Sequence, residues 1–267
     1  MHAAGKTADE SLLRTADHPR GVRQILLADP LERNALTETL RSQLHKALEA
    51  AYADSTVRAI VIAGAGKNFS VGGDLSHIAG RNAGQSSYTM MSVVGDVALA
   101  VRNGPKPIVA AVTGHCIGAG AGLALLCDTV VMGKSVSLGF PYLKIGLVPD
   151  FGLAHTIAER IGLPAARQAL LYAKTFKADE AASIGLADEV VEDERVKERA
   201  LQLAAALAES PAHALLLLRR MLREGGSTLE AMLDREAVYQ STCFGSADLE
   251  EGVAAFKEKR RPNFLRS

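Results

Sequence analysis

Phe69-Ser70-Val71-Gly72-Gly73-Asp74-Leu75 and Gly114-His115-Cys116-Ile117-Gly118-Ala119-Gly120-Ala121-Gly122 are two glycine-bearing loops built to one plan. Each follows a short apolar run and opens into a helical stretch. The runs, Ala59-Ile60-Val61-Ile62-Ala63 and residues 107–112, are continuous enough to read as parallel strands buried on both faces. Glycine lets a backbone approach a ligand closely, and the unpaired N–H groups of a helix start favour negative charge. Two phosphate-binding readings of the second loop fail. A dinucleotide fingerprint needs a glycine where Leu123 stands, and a P-loop needs Gly-Lys-Ser/Thr, which is absent. Close packing of helix on sheet is the plain explanation of either loop taken alone.

Working outward, strand-like runs at 11–15 and 22–27 flank a turn signal, His18-Pro19-Arg20-Gly21. A helix over 37–53 starts at Thr37 as N-cap, and Leu36, Leu40, Leu44, Ala47, Leu48 and Ala51 mark its core face. Helices are predicted near 86–102 and 118–126, with a strand at 129–132. Strands alternating with helices point to an α/β fold around a parallel sheet. From about residue 152 the pattern is nearly all helix, at 193–208, 212–223 and 229–242. A last helix is expected from Asp248, with Asp248 and Glu251 as a capping box, to about residue 259. This gives a flexible N-terminus over 1–10, an α/β core over 11–200 and a helical C-terminal region over 201–267.

The 30 basic and 30 acidic residues cancel, so no global field draws the chain to nucleic acid or to an anionic membrane. Trp is absent and aromatics are 4%, too few for a base-stacking surface. No run approaches the roughly 18 apolar residues that span a bilayer, and residues 1–16 lack the apolar core of a signal peptide. Cys116, Cys127 and Cys243 are odd in number and lack metal spacing, which suits a reducing, cytoplasmic location. No His, Asp or Glu cluster has metal-ligand spacing either.

The order of the short motifs adds a resemblance. Asn34-Ala35-Leu36, Phe-Ser-x-Gly-Gly-Asp-Leu, Lys106-Pro107, Gly-x-x-x-Gly-x-Gly and Cys127-Asp128 follow one another along the chain. Gly146-Leu147-Val148-Pro149-Asp150, the segment 178–185 and Glu251-Gly252 through Phe264 continue the series. This order resembles the enoyl-CoA hydratase/isomerase (crotonase) family over residues 11–264. The resemblance implies a ββα superhelix of repeated strand-strand-helix turns with a helical C-terminal trimerisation region. It also implies homotrimers, or hexamers formed as dimers of trimers. The substrate would be a coenzyme A thioester, with no further cofactor.

The resemblance further implies that the backbone N–H groups of Gly73 and Ala119 form an oxyanion hole. Removing a proton beside a thioester places charge on its oxygen, and preorganised donors there are worth about 3–4 kcal/mol. The two glutamates that hydratases of the family use align with Gly122 and Tyr142, neither of which is a carboxylate. Asp150 matches the position of a catalytic Asp in some double-bond isomerases of the family. Apolar neighbours would raise its pKa toward a useful range. Read from the residues alone, Asp150 is equally a helix N-cap. Family members contact the coenzyme A nucleotide through residues matching Phe256 and Lys259, often on behalf of a neighbouring subunit.

Other polar residues carry plainer expectations. Asp74 fixes its loop, His115 and His155 pack or hydrogen-bond, Tyr142 lines the acyl pocket or donates a hydrogen bond, and the thiols at 116 and 127 are buried hydrophobes. Acyl selectivity is expected from residues 78–91. Hydratase activity, acyl-CoA binding without turnover, and an RNA role on the same fold are the competing functions.

Overall fold

The computed structural model describes residues 11–29, 31, 33–75, 79, 84–225 and 228–266. The N-terminal segment 1–10, part of the 78–91 stretch and Gly226 lie outside the described residues. The chain opens with β1 (Leu13–His18), a tight turn at Pro19–Gly21 and β2 (Val22–Leu27), then α1 (Glu38–Ala53) and β3 (Ala59–Gly64). Next come α2 (Gln85–Asn103), β4 (Ile108–Val112), β5 (His115–Ile117), α3 (Ala119–Leu126), β6 (Thr129–Gly133) and β7 (Ser137–Gly139). After a 3₁₀ turn at Pro141–Ile145 follow α4 (Leu153–Leu171), β8 (Thr175–Lys177), α5 (Ala178–Ser183) and β9 (Glu189–Val191). Four helices complete the described chain: α6 (Val196–Ala208), α7 (Ala212–Glu224), α8 (Leu229–Cys243) and α9 (Ala247–Glu258).

A six-stranded sheet runs β1-β2-β3-β4-β6-β9, and a three-stranded sheet runs β5-β7-β8. Within the larger sheet only the β1–β2 pair is antiparallel. The chain therefore spirals. β4 and β6 each lie in the large sheet, and each is followed by a strand of the small one, β5 or β7, and then by a helix. β3 leads into the same path, where Ser70 bridges Cys116 in parallel and adds one more rung beside β5.

Side-chain alternation explains the two core layers. Ile60, Ile62, Ile108, Ala110 and Val112 face the main core with α1, α2, α3 and α4. Their neighbours Ala59, Val61, Ala63, Val109 and Ala111 face Val196, Ala200, Ala204 and Ala208 of α6. Those four recur every fourth residue, so one alanine-rich stripe lies flat on the sheet. Residue 200 falls within this stripe, so α6 belongs to the sheet's packing. Helices α7, α8 and α9 are the part that projects beyond it.

Several local expectations meet their structural outcome here. Thr37 caps α1, its side chain accepting from the Leu40 N–H at 3.2 Å. The first strand sits at 13–18 rather than 11–15, because its register against β2 pairs Leu13 with Leu27. The stretch beyond residue 152 is not continuous helix, since β8 and β9 complete the two sheets. The last helix is capped by Ser246, which accepts from the Leu249 N–H at 3.1 Å, and not by an Asp248–Glu251 box. Glu251 is instead paired with Arg260 at 2.6 Å.

One buried cation pins α7 to the core. Arg219 donates through Nε to Asp128 at 2.8 Å and through Nη1 to the Gly104 carbonyl at 2.9 Å. The second Asp128 oxygen accepts the Ile108 N–H at 2.8 Å, joining that anchor to the start of β4.

Candidate active site

The two glycine loops meet at one wall of a cavity of about 860 Å³, which Gly73, Ala119, Tyr142 and Asp150 all line. Their meeting follows from strand register. Ser70 N–H donates to the His115 carbonyl and Ile117 N–H to the Ser70 carbonyl, each at 3.0 Å. Gly73 lies three residues beyond Ser70, and Ala119 lies three beyond its bridged partner Cys116. The bridge thus brings the two loops side by side, and a Cβ on Gly72 would stand 3.4 Å from the Ala119 nitrogen.

The first loop is clamped from a third direction. Ser70 Oγ donates to the Asn34 carbonyl at 2.7 Å and accepts the Gly72 N–H at 3.2 Å. Leu36 N–H donates to the Gly72 carbonyl at 2.8 Å. Gly72 has φ +92°, and a Cβ there would stand 2.7 Å from the Ile117 carbonyl oxygen, so only glycine fits. Ala119 opens α3, where the first helical N–H groups have no intrahelical acceptor. Among the described residues, neither the Gly73 nor the Ala119 N–H donates to a protein acceptor. Both residues line the cavity.

Asp150 faces the same space. Its Oδ1 accepts the Tyr142 hydroxyl at 2.6 Å. The helix-cap alternative is excluded, because α4 begins after Gly152 without a side-chain cap. Burial pushes the Asp150 carboxyl above the usual carboxylate range, while hydrogen bonds from Tyr142 and from its own backbone N–H, and then the Arg41 charge, pull the other way. Burial, and then the Asp150 charge, push the Tyr142 phenol well above its ordinary value. A Cβ on Gly118 would stand 3.9 Å from the Tyr142 hydroxyl, which places that hydroxyl beside the loop carrying Ala119.

The place of a carboxylate at position 122 is closed. A Cβ on Gly122 would lie 2.7 Å from the Cβ of Phe151, whose backbone is left-handed at φ +50°. Met90, Met91 and Val94 of α2 supply apolar lining, and Arg41 and Lys46 of α1 bring cationic side chains.

The remaining expected residues lie elsewhere. Phe256 is 85% exposed on α9, Lys259 caps that helix with φ +54°, and neither lines the cavity. His115 borders a separate depression with Lys67 and Asp193. His155 is exposed and reaches Glu159 at 3.3 Å. Cys116 and Cys127 are buried thiols whose pKa values burial raises. Among the described residues no group of three or more His, Cys, Asp or Glu is placed to hold a metal ion. Nor, among them, is any single helix long and apolar enough to cross a membrane. The sequence pattern did not reveal the Tyr142–Asp150 contact.

Solved structures share this architecture. The enoyl-CoA hydratase from Bacillus anthracis superposes with a TM-score of 0.90 at 26% identity, covering 96% of this chain and 100% of that one. The enoyl-CoA hydratase from Polaromonas sp. JS666 gives 0.89 at 28% identity, covering 94% and 98%. The fold is thus the crotonase fold of acyl-CoA enzymes. The family model for enoyl-CoA hydratase/isomerase matches residues 17–266, and the chain belongs to that family as an enzyme of the crotonase superfamily. Among its relatives, the 2,3-dehydroadipyl-CoA hydratase of Escherichia coli K12 is 32% identical over 90% of this chain and 93% of its own length. The 1,2-epoxyphenylacetyl-CoA isomerase of the same organism is 33% identical over 92% and 95%.

Proposed function

We propose that this enzyme moves a carbon–carbon double bond along the acyl chain of an enoyl-CoA, with Asp150 as the proton shuttle. The observation that carries the reading is the half-buried Asp150 carboxylate, which lines one cavity with the Gly73 and Ala119 amides. The family's two glutamate positions meanwhile hold Gly122 and Tyr142.

The thioester oxygen would sit between the two amides. Asp150 takes a proton from C2 of a 3-enoyl-CoA, and the bonding pair moves into the conjugated system as a dienolate. Charge gathers on the thioester oxygen, where fixed donors need no reorganisation. The same carboxyl returns the proton to C4, giving the 2-enoyl isomer with atoms and electrons balanced. A raised pKa suits a group that must both take and give a proton near neutral pH. Phe256 and Lys259, on an exposed helix end, would meet the nucleotide of coenzyme A in a neighbouring subunit of a trimer or hexamer. The free thiols at 116, 127 and 243 suit the reducing cytoplasm.

Asp150→Asn should lower isomerisation of a 3-enoyl-CoA by at least 100-fold, the scale of losing a general base. Acyl-CoA affinity should stay within about threefold. Undiminished turnover in that variant would falsify the shuttle. The hydratase names of several relatives favour a second reading, in which Asp150 alone activates water. Hydration of crotonyl-CoA faster than isomerisation would select it, and tight binding with neither reaction would mark a non-catalytic acyl-CoA binder.

A further inference from the structure

By the family resemblance Tyr142 stands where hydratases carry a glutamate, and its hydroxyl donates to the one carboxylate the proposed reaction needs. The contact is short, 2.6 Å, and Tyr142 is buried while Asp150 is half-buried. A phenol O–H donating to a carboxylate in partly dehydrated surroundings is a charge-assisted bond of the stronger kind. The bond also has a defined direction, since the phenol meets Oδ1. Among the described residues no other side chain donates to Asp150.

The Tyr142 ring is itself fixed. It follows Pro141 in a 3₁₀ turn, and its carbonyl accepts the Gly146 and Leu147 N–H groups that close that turn. The hydroxyl lies beside Gly118, at the root of the Ala119 amide. One side chain thereby stands next to both the Gly118 turn and the carboxylate.

We propose that Tyr142 is a positioning residue that ties Oδ1 of Asp150 and assigns proton exchange with the acyl chain to Oδ2. The inference deepens the isomerase reading and rests on it. In the forward step the C2–H bond breaks, the proton bonds to Oδ2, and the electron pair enters the dienolate. In the return step the Oδ2–H bond breaks and the proton bonds to C4. The Tyr142 proton stays on its own oxygen throughout. By stabilising the charged carboxylate, the phenol offsets the burial that otherwise favours the neutral acid.

The test is Tyr142→Phe, which keeps the ring and removes the donor. Hydrogen bonds to charged groups are worth enough to predict a loss in kcat of about 10- to 100-fold. KM for a 3-enoyl-CoA should stay within about threefold. The acidic limb of the kcat profile should move to higher pH, because Asp150 loses a partner of its ionised form. Circular dichroism and thermal melting check that the variant folds. A second readout needs no turnover: in substrate-free protein, the ¹³C-carboxyl titration of Asp150, assigned with Asp150→Asn, should move upward in Tyr142→Phe. An unmoved titration, or an unmoved acidic limb with kcat within twofold of wild type, overturns the positioning role. If the titration moves while the wild type isomerises no enoyl-CoA, the positioning contact stands and the isomerase reading falls.

Discussion

Gly122 stands where the family resemblance sets a hydratase glutamate, and the proposed isomerase reading draws on the lack of a carboxylate there. Restoring a glutamate there would bring its Cβ to about the 2.7 Å separation from Phe151 that real side chains never tolerate. Gly122→Glu should therefore destabilise the fold by about 1–3 kcal/mol, the range for overpacked cores. Crotonyl-CoA hydration should not rise above wild type, and a gain in hydration at unchanged melting temperature would contradict the packing account. That Asp150 would lie at the cavity was legible through the family resemblance, since it follows Gly146-Leu147-Val148-Pro149. Its tie to Tyr142 was not. Eight residues separate the pair, and between them lie a 3₁₀ turn and the left-handed Gly146, so no helical or strand period connects the two.

At the scale of elements, the long strands and helices announced themselves by periodicity, while β5, β7, β8 and β9 did not. Each has three residues, too few to show alternation, and two of them interrupt what reads as helix. Capping was readable where one candidate stood alone, as at Thr37. It was misread at α9, where Ser246 lies two residues ahead of an equally plausible Asp248. The anchoring of α7 is a tertiary matter that sequence spacing hides, because Arg219 and Asp128 lie 91 residues apart. Removing one partner of a buried pair strands the other, so Arg219→Met should cost about 3 kcal/mol. Chemical denaturation would measure it. The double variant with Asp128→Asn should recover part of that loss, and equal stability of Arg219→Met and wild type would show that α7 is held by packing alone.

For the whole molecule, strand–helix alternation foretold a parallel α/β core, the spiral came with the family resemblance, and assembly belongs to the largest scale. Helices α7, α8 and α9 expose Leu218, Leu222, Leu229, Leu233, Val238 and Val253, and α8 buries none of its residues within the chain. On the trimer or hexamer reading, these apolar side chains would meet another copy of the chain. Sedimentation equilibrium should return three or six copies per particle. Phe256→Ala combined with Lys259→Ala should leave that mass unchanged and raise KM for coenzyme A thioesters about tenfold, with kcat held. A monomer, or an unaltered KM, would count against nucleotide contact across subunits. The rung between Ser70 and Cys116 has a consequence for inheritance. Because backbone pairing holds the two loops together at this rung, side chains that line the cavity can be exchanged without undoing it. Descendants of one ancestor can thus diverge in chemistry while passing on the same backbone frame.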